Sequence, residues 1–62
     1  MKLAEPQFEV YADKAGEWRW KLRASNARII ADSSEGYKNK QDCVHGIGLV
    51  KQEAVGAKIV YK

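Results

Sequence analysis

One segment, Glu17–Ala24 (EWRWKLRA), decides the fold of this chain. Its apolar residues occupy every second position, and charged residues occupy the positions between them. Successive side chains of a β-strand point to opposite faces, so this period of two predicts a strand with one buried and one solvated face. A helix would scatter the charges among the two tryptophans. The segment is therefore predicted to be a β-strand.

A second strand, residues 7–12, precedes this segment and shows the same alternation. The turn between them, residues 13–16, suits a three-residue loop that opens at Asp13 and places Gly16 in the left-handed conformation. That loop pairs the apolar residues on one face and opposite charges on the other: Ala12 with Trp18, Val10 with Trp20, Phe8 with Leu22, and Glu9 with Lys21. A shift of one residue would place apolar side chains opposite charged ones, so the pattern fixes the register.

A third strand, residues 29–33, follows a second tight turn at residues 25–28. A two-residue loop at Asn26-Ala27 is expected there. It would pair Ala24 with Ile29, Leu22 with Ala31, and Lys21 with Asp32. The outer face would then carry a row of alternating charge, Glu9–Lys21–Asp32.

The remainder of the chain predicts a loop, a helix and a last strand. Residues 34–37 form the loop, and Asn39 is a good helix N-cap. An apolar stripe of about three turns follows at Cys43, Ile47, Val50 and Ala54, with Gly46 beside it to let the helix approach the sheet closely. Gly56 ends the helix, and residues 57–61 are predicted to form a strand.

The predicted order is β-β-β-α-β, an α+β fold with a mostly antiparallel sheet and one helix on one face. Residues 1–62 form a single domain, with an N-terminal extension at residues 1–6 and the folded motif at residues 7–61. A chain of 62 residues buries little surface and is marginally stable alone. Its single cysteine excludes an internal disulfide, and Cys43 with His45 supplies too few ligands for a metal. A second subunit is therefore the expected source of additional stability.

The strand sequences and loops also resemble a known family. The chain resembles the YegP-like family of small, mostly bacterial, uncharacterised domains. The resemblance rests on Phe8–Tyr11, the run Asp13–Trp20 with its Gly-x-Trp-x-Trp core, Leu22, Ser34–Tyr37 and Gly46-Ile47. The likeness covers residues 7 to about 50. It implies a β-β-β-α-β motif that, as a single copy, forms a homodimer by exchanging C-terminal strands, and it implies no established activity. The family usually carries Gly where this chain has Ala27, after the turn Asn.

A candidate binding surface lies on the charged face of the predicted sheet. It consists of Arg19, Lys21, Arg23 and Arg28 with Tyr11 nearby, a pattern that suits phosphate or nucleic acid. A solvated surface neutralised by Glu9, Glu17 and Asp32 is the favoured interpretation. Trp18 and Trp20 could stack on bases or sugars, but they share the face that the helix covers, which favours the core.

No residues are assigned to catalysis, a cofactor or a metal. Cys43 and His45 stand two positions apart on the predicted helix and point to different faces, so they cannot act as nucleophile and base. The sequence contains no run resembling a signal peptide or a membrane span, and its lone cysteine is typical of the cytoplasm. We expect a non-catalytic cytoplasmic module that binds itself and a protein or acidic partner. The alternative is weak nucleic-acid or phosphate-ligand binding on the basic outer face of the sheet. The net charge of +3 is compatible with an acidic partner but does not require one.

Overall fold

The structure is a computed structural model that describes residues 5–62, which form one antiparallel sheet and one helix. Strand β1 spans Gln7–Ala12, β2 spans Trp18–Arg23, β3 spans Ile29–Asp32, and helix α1 spans Lys40–Ala54. The strand order is β1-β2-β3, and α1 packs on one face of the sheet against β2 and β1. The predicted α+β fold is confirmed. The predicted extension, residues 1–6, lies partly outside the described residues.

The first hairpin has the predicted register at every position. Val10 lies opposite Trp20, Phe8 opposite Leu22, and Glu9 opposite Lys21. The loop is the expected three-residue one, because the Asp13 N–H donates to the Glu17 carbonyl at 2.8 Å and the Gly16 N–H donates to the Asp13 carbonyl at 3.0 Å. Gly16 has a φ of 83°, the left-handed conformation that the turn requires.

The second hairpin differs from the prediction. The Ala24 N–H donates to the Arg28 carbonyl at 2.7 Å and the Ala27 N–H donates to the Ala24 carbonyl at 2.8 Å, which makes a three-residue loop instead of the predicted two-residue loop. Ala27 takes the left-handed position with a φ of 73°. The Asn26 Oδ1 holds the loop closed by accepting the Arg28 N–H at 3.0 Å.

The longer loop changes the pairing next to it. Arg23, not Ala24, lies opposite Ile29, so the predicted Ala24–Ile29 pair is wrong. A β-bulge then leaves Ile30 as the extra residue of β3, and beyond it Leu22 lies opposite Ala31 and Lys21 opposite Asp32, as predicted. The bulge thus restores the register that the hydrophobic pattern demands.

The chain rejoins the sheet after β3 at Tyr37. Ser33 still pairs with β2, because its N–H donates to the Trp20 carbonyl at 2.9 Å. Ser34 then leaves the ladder with a φ of 59°. Tyr37 returns and exchanges two backbone hydrogen bonds with Trp18, at 2.7 and 2.8 Å. The predicted loop of residues 34–37 therefore ends in a residue that belongs to the sheet.

Helix α1 buries its stripe only in its first half. Asn39 occupies the N-cap with extended backbone, but its side chain makes no capping bond and instead donates to the Asp42 Oδ2 at 3.3 Å. Cys43 and Ile47 are buried, whereas Val50 is half-buried and Ala54 is exposed. The close approach at Gly46 is to the Tyr37 ring: an added Cβ would lie 2.8 Å from the Tyr37 Oη.

The core is small and lies between β2 and α1. Three residues among those described are buried, namely Trp20, Cys43 and Ile47. Phe8, Val10, Trp18, Leu22, Tyr37 and Val50 surround them and are half-buried. Phe8 and Trp20 meet edge to face, with ring centroids 5.3 Å apart. Trp20 therefore belongs to the core as predicted, and Trp18 lies at its margin.

The predicted last strand is not formed in this single chain. Residues 57–62 have no secondary structure and are exposed. A strand needs a neighbour for its backbone groups, and within residues 5–62 no strand pairs with this segment. Because the strand at residues 57–61 is expected to pair with the sheet of a second copy, it stays a prediction.

Candidate binding surface

Alternation along β1 and β2 places the candidate residues on the face of the sheet opposite α1, here called the outer face. Tyr11 lies opposite Arg19, Glu9 opposite Lys21, and Gln7 opposite Arg23. The residues between them, such as Val10 and Trp20, face the helix and the core. The structure thus brings together Tyr11, Arg19, Lys21 and Arg23, four of the five predicted residues. Arg28 lies outside the strands, in the exposed connection that follows Ala27.

Arg19 is neutralised by Asp13, the residue that opens the first turn. The Arg19 Nε donates to the Asp13 Oδ2 at 2.6 Å, while the Asp13 Oδ1 accepts the backbone N–H groups of Ala15 and Glu17, each at 2.9 Å. The hydrogen bond from Arg19 is the largest cause that lowers the pKa of Asp13, and the bonds from the turn add to it. The same pair raises the pKa of Arg19. One carboxylate therefore stabilises the turn and pairs with the cation.

Arg23 is neutralised by Glu9 through two hydrogen bonds. The Arg23 Nε lies 3.0 Å from the Glu9 Oε2, and its Nη2 lies 3.2 Å from the Glu9 Oε1. The Arg23 Nη1 also donates to the Ala27 carbonyl at 2.7 Å, which ties β2 to the second loop. The bond from Arg23, followed by the one from Gln7, lowers the pKa of Glu9. This two-point geometry fixes the guanidinium in the plane of the carboxylate.

The two ion pairs follow one diagonal rule. Each arginine binds the carboxylate two residues beyond the residue directly opposite it. Arg19 lies opposite Tyr11 and binds Asp13. Arg23 lies opposite Gln7 and binds Glu9. Diagonal neighbours on one face of a sheet are within reach of long side chains. Asp13 was not predicted as the partner of Arg19, because only directly opposite residues were paired; the predicted register already places Asp13 diagonal to Arg19.

Lys21 differs from the two arginines. Its Nζ lies 5.1 Å from the centroid of the Tyr11 ring, the distance of a cation–π contact. Its backbone lies between those of Glu9 and Asp32, as the predicted row of alternating charge requires. The outer face is therefore a mixed surface of paired charges rather than a continuous cationic strip.

The cysteine and histidine singled out from the sequence lie apart on α1. Cys43 is fully buried, and burial raises the pKa of its thiol. His45 is exposed. Residues 5–62 contain no group of three or more His, Cys, Asp or Glu placed to hold a metal ion, and no pocket opens among them. No helix in this part of the chain has the length and apolar character needed to cross a membrane.

Several exposed apolar side chains lie in and near the C-terminal segment, residues 57–61, which the sequence predicts as a strand. Ile59 is 82% exposed, Val60 70% and Tyr61 90%. Val55, at the end of α1, is 90% exposed. At the far side of the sheet, Ile30 in β3 is 63% exposed. A run of consecutive large apolar side chains exposed to water is uncommon in a stable monomer.

Comparison with known proteins finds one family and related structures. The model of a domain of unknown function (DUF1508) matches residues 13–60. A UPF0339 protein of Methanosarcina acetivorans is 48% identical over 54 residues, which cover 87% of this chain and 91% of the relative. A UPF0339 protein of Neisseria meningitidis serogroup B is 44% identical over 52 residues, 84% of this chain and 91% of the relative.

A solved structure shares the fold as well. The solution NMR structure of a protein from Haloferax volcanii superposes with a TM-score of 0.86 at 40% sequence identity. The match covers 97% of this chain and 100% of that one. These similarities support the fold and the resemblance drawn from the sequence.

Proposed function

Since this chain belongs to the DUF1508 family, which includes the UPF0339 proteins, we propose that it is a non-catalytic interaction module that assembles as a homodimer. The family is one of unknown function, so the support comes from the surfaces of this chain. We place the module in the cytoplasm, because a lone cysteine without a bridging partner is typical of that compartment.

The exposed C-terminal segment, residues 57–61, carries the proposal. Its three large side chains, Ile59, Val60 and Tyr61, are consecutive and each at least 70% exposed. Covering them would remove a large apolar area from water, at about 25 cal/mol per Å². The segment also holds unpaired backbone groups that a sheet edge would satisfy. A second copy of the chain offers such an edge and has the same need.

The small core supports the same conclusion. One helix covers β2 and β1 but makes no contact with β3. Ala31 of β3, which lies opposite Leu22, is therefore exposed, and even in β1 Phe8 and Val10 are only half-buried. Domains of this size gain stability from disulfides, metals or association. Association is the supplement that this sequence favours.

The buried thiol supports the non-catalytic part of the proposal. A cysteine nucleophile acts as the thiolate and needs access to its substrate. Cys43 is fully buried and burial raises its pKa, so it remains a neutral thiol packed in the core. It contributes volume to the contact between helix and sheet, as a small apolar residue would.

Weak nucleic-acid or phosphate binding on the outer face has less support. Arg19 and Arg23 already bind carboxylates, so a phosphate would have to displace Asp13 and Glu9. A gel shift with single-stranded oligonucleotides at about 50 mM salt, where electrostatic binding is strongest, tests this alternative. We expect no shift. A shift that weakens steeply with salt and is lost in an Arg28→Glu, Lys21→Glu variant would establish the alternative instead.

Analytical ultracentrifugation across protein concentrations tests the homodimer. We expect a dimer at micromolar concentration and a melting temperature that rises with concentration, since folding and association are then linked. Removal of residues 57–62 should abolish the dimer. Val44→Asp serves as a control, because Val44 is an exposed apolar residue on α1, at 50%, outside the segment. A folded full-length monomer at micromolar concentration would refute the homodimer.

A further inference from the structure

Beyond the proposed homodimer, and without resting on it, we infer that residues 28–33 open and close over β2 as one unit while the rest of the fold stays intact. These residues contain β3 and are here called the strap. Three features of the molecule set the strap apart. It buries few side chains, two strained backbone positions bracket it, and the chain on either side of it is anchored independently.

The strap is held by its backbone rather than by its side chains. All four residues of β3 are exposed, with Ile29 at 51% and Ile30 at 63%. Helix α1 packs on β2 and β1 but makes no contact with β3. Burial of apolar surface is the main favourable contribution to folding. Opening the strap therefore gives up little of it.

The hydrogen bonds that close the strap run between the backbones of β2 and the strap. The Ser33 N–H donates to the Trp20 carbonyl at 2.9 Å, and the Ala24 N–H donates to the Arg28 carbonyl at 2.7 Å. The Trp20 N–H donates to the Ser33 side-chain Oγ at 3.3 Å. The bulge at Ile30 interrupts the ladder between them. Each such bond contributes modestly to stability, because water replaces it when the strap opens.

Two strained residues bracket the strap. Ala27 precedes it with a φ of 73°, and Ser34 follows it with a φ of 59°. Within residues 5–62 these are the two non-glycine residues that have a positive φ. The Cβ of an L-residue crowds the carbonyl oxygen in this conformation. Opening lets both residues return to ordinary dihedral angles, so the strain favours the open state.

Exposed side chains hold both strained positions in the closed state. The Asn26 Oδ1 accepts the Arg28 N–H at 3.0 Å, and the Asp32 Oδ1 accepts the Ser34 N–H at 2.9 Å. Asn26 and Asp32 are exposed, so water can take over these bonds. Hinges in proteins are a few residues, often small ones, that absorb a change in dihedral angles. Ala27 and Ser34 are therefore the expected hinges of the strap.

The chain on both sides of the strap is anchored without it. Before the strap, β2 pairs with β1 along its whole length, as far as Arg23. After the strap, Tyr37 exchanges two backbone hydrogen bonds with Trp18, at 2.7 and 2.8 Å, and its ring lies against Gly46. The three buried core residues also lie outside the strap. Opening can therefore stop at these two anchors.

An open strap exposes the second edge of β2. Trp20 and Ala24 direct backbone groups toward the strap, and Leu22 lies between them at the same alternation, opposite Ala31. These groups are paired in the closed state and free in the open state. The fold thus contains a sheet edge whose accessibility is set by the equilibrium between the two states.

Native-state hydrogen exchange of the full-length protein, followed by NMR, tests the strap. The amides of Ser33 and Ala24 report its opening, because both join the strap to β2. The amide of Tyr37 is the matched control, because it bonds to the same edge of β2 beyond the second hinge. We expect the protection of Ser33 and Ala24 to be on the order of 10- to 100-fold below that of Tyr37. Low urea should accelerate exchange at Tyr37 but change it little at Ser33, since a local opening exposes little surface.

Two variants separate the strap from the core. Ala27→Gly removes the strain of the closed hinge and should raise the protection of Ser33 about fivefold. Ile47→Val weakens the core and should lower the protection of Tyr37 about fivefold. The same variant should leave Ser33 unchanged, because the core stays folded when the strap opens. An equal loss of protection at Tyr37 and Ser33 in Ile47→Val would overturn the inference.

Two patterns of protection in the unmodified protein would also overturn it. Ser33 and Ala24 amides as protected as that of Tyr37 would show that β3 opens only together with the whole domain. A Tyr37 amide as weakly protected as that of Ser33, while the Lys21 amide facing β1 stays protected, would show that the opening extends into α1. A monomer in the ultracentrifuge would refute the homodimer alone, since the strap is judged by the differences among these amides.

Discussion

Gly16 and Ala27 occupy the same position in two hairpin loops of the same geometry. Each donates its backbone N–H to the carbonyl three residues earlier, in Asp13 and Ala24 respectively. Their φ angles are 83° and 73°. Glycine adopts this conformation freely, whereas for alanine the Cβ approaches the carbonyl oxygen and costs roughly 1–2 kcal/mol. The second loop therefore holds strain that the first does not.

Replacing the strained residue should stabilise the protein. We expect Ala27→Gly to raise the free energy of unfolding by about 1 kcal/mol, or roughly 4–8 °C in melting temperature. Gly16→Ala is the reciprocal control and should cost about the same amount, since its added Cβ meets no atom within 4 Å and only the backbone changes. Thermal unfolding at one fixed protein concentration measures both. A lowered melting temperature for Ala27→Gly would contradict this account.

Two helical glycines should respond differently to alanine. Gly48→Ala should stabilise α1 by about 1 kcal/mol, because the added Cβ meets no atom within 4 Å. Gly46→Ala should lose this gain, because its Cβ would lie 2.8 Å from the Tyr37 Oη and 3.3 Å from the Cζ. Urea unfolding of both variants measures the difference. Tyr37→Phe in the Gly46→Ala background should recover part of the loss, and equal stability of the two alanine variants would refute the contact.

The two carboxylates of the outer face should make stability fall in acid. The pKa values of Glu9 and Asp13 are lowered in the folded state by Arg23 and Arg19. As the pH falls, these carboxyl groups take up protons in the unfolded chain before they do so in the folded protein. The stability that they contribute is therefore fully present above the ordinary carboxyl pKa of about 4, and it is lost as the pH falls through their lower pKa values in the folded state. Melting temperatures from pH 7 to pH 3 should show this decline.

The isosteric variant Glu9→Gln, Asp13→Asn is the control for the acid effect. It keeps side-chain oxygens that accept hydrogen bonds but removes the charges. We expect a lower melting temperature at pH 7 and a flatter dependence on pH than in the unmodified protein. Parallel curves for the two proteins would show that other carboxyl groups cause the acid loss.

Trp20 should be essential for folding. Trp20→Ala removes the largest buried side chain, at 6% exposure, and should cost about 3–5 kcal/mol, enough to unfold a domain of this size. Leu49→Ala is the control, since Leu49 is 46% exposed on α1 and should change stability little. Circular dichroism and the fluorescence of the remaining Trp18 report the outcome. A folded Trp20→Ala protein with an unchanged melting temperature would contradict the assigned core.

The first hairpin could be predicted from sequence because two independent signals agree. Gly16 identifies the loop, and the alternation of residues 7–12 and 17–24 permits a single register. At the second hairpin the signals disagree, because the left-handed residue is an alanine. Preference rules place Asn or Gly there, so the alanine gives no signal for the three-residue loop that forms. The bulge at Ile30 takes up one extra residue of β3, so that the three-residue loop and the core pairing Leu22–Ala31 can both form.

The sequence predicted which residues share the candidate surface, but it did not predict the ion pairs that the two arginines form there. Tyr11, Arg19, Lys21 and Arg23 do share the outer face. Which carboxylate each arginine binds depends on side-chain length and on the diagonal geometry of the sheet, which the directly opposite pairs do not capture. The segment of residues 57–61 shows a similar limit. Its local pattern predicts an extended backbone, but it does not identify the strand with which that backbone would form hydrogen bonds.

Tyr37 also determines where the chain can accommodate extra residues. Its backbone is fixed to Trp18 and its ring lies against Gly46, so it links the last sheet position to the middle of α1. A residue inserted between Ser34 and Glu35 leaves both anchors in place and only enlarges an exposed loop. A residue inserted within α1 between Cys43 and Ile47 would instead turn the two halves of the helix by about 100° relative to each other, so that these two side chains could not both face the sheet. Length variants of this fold should therefore carry their insertions in the loop at Ser34 and not in this part of α1.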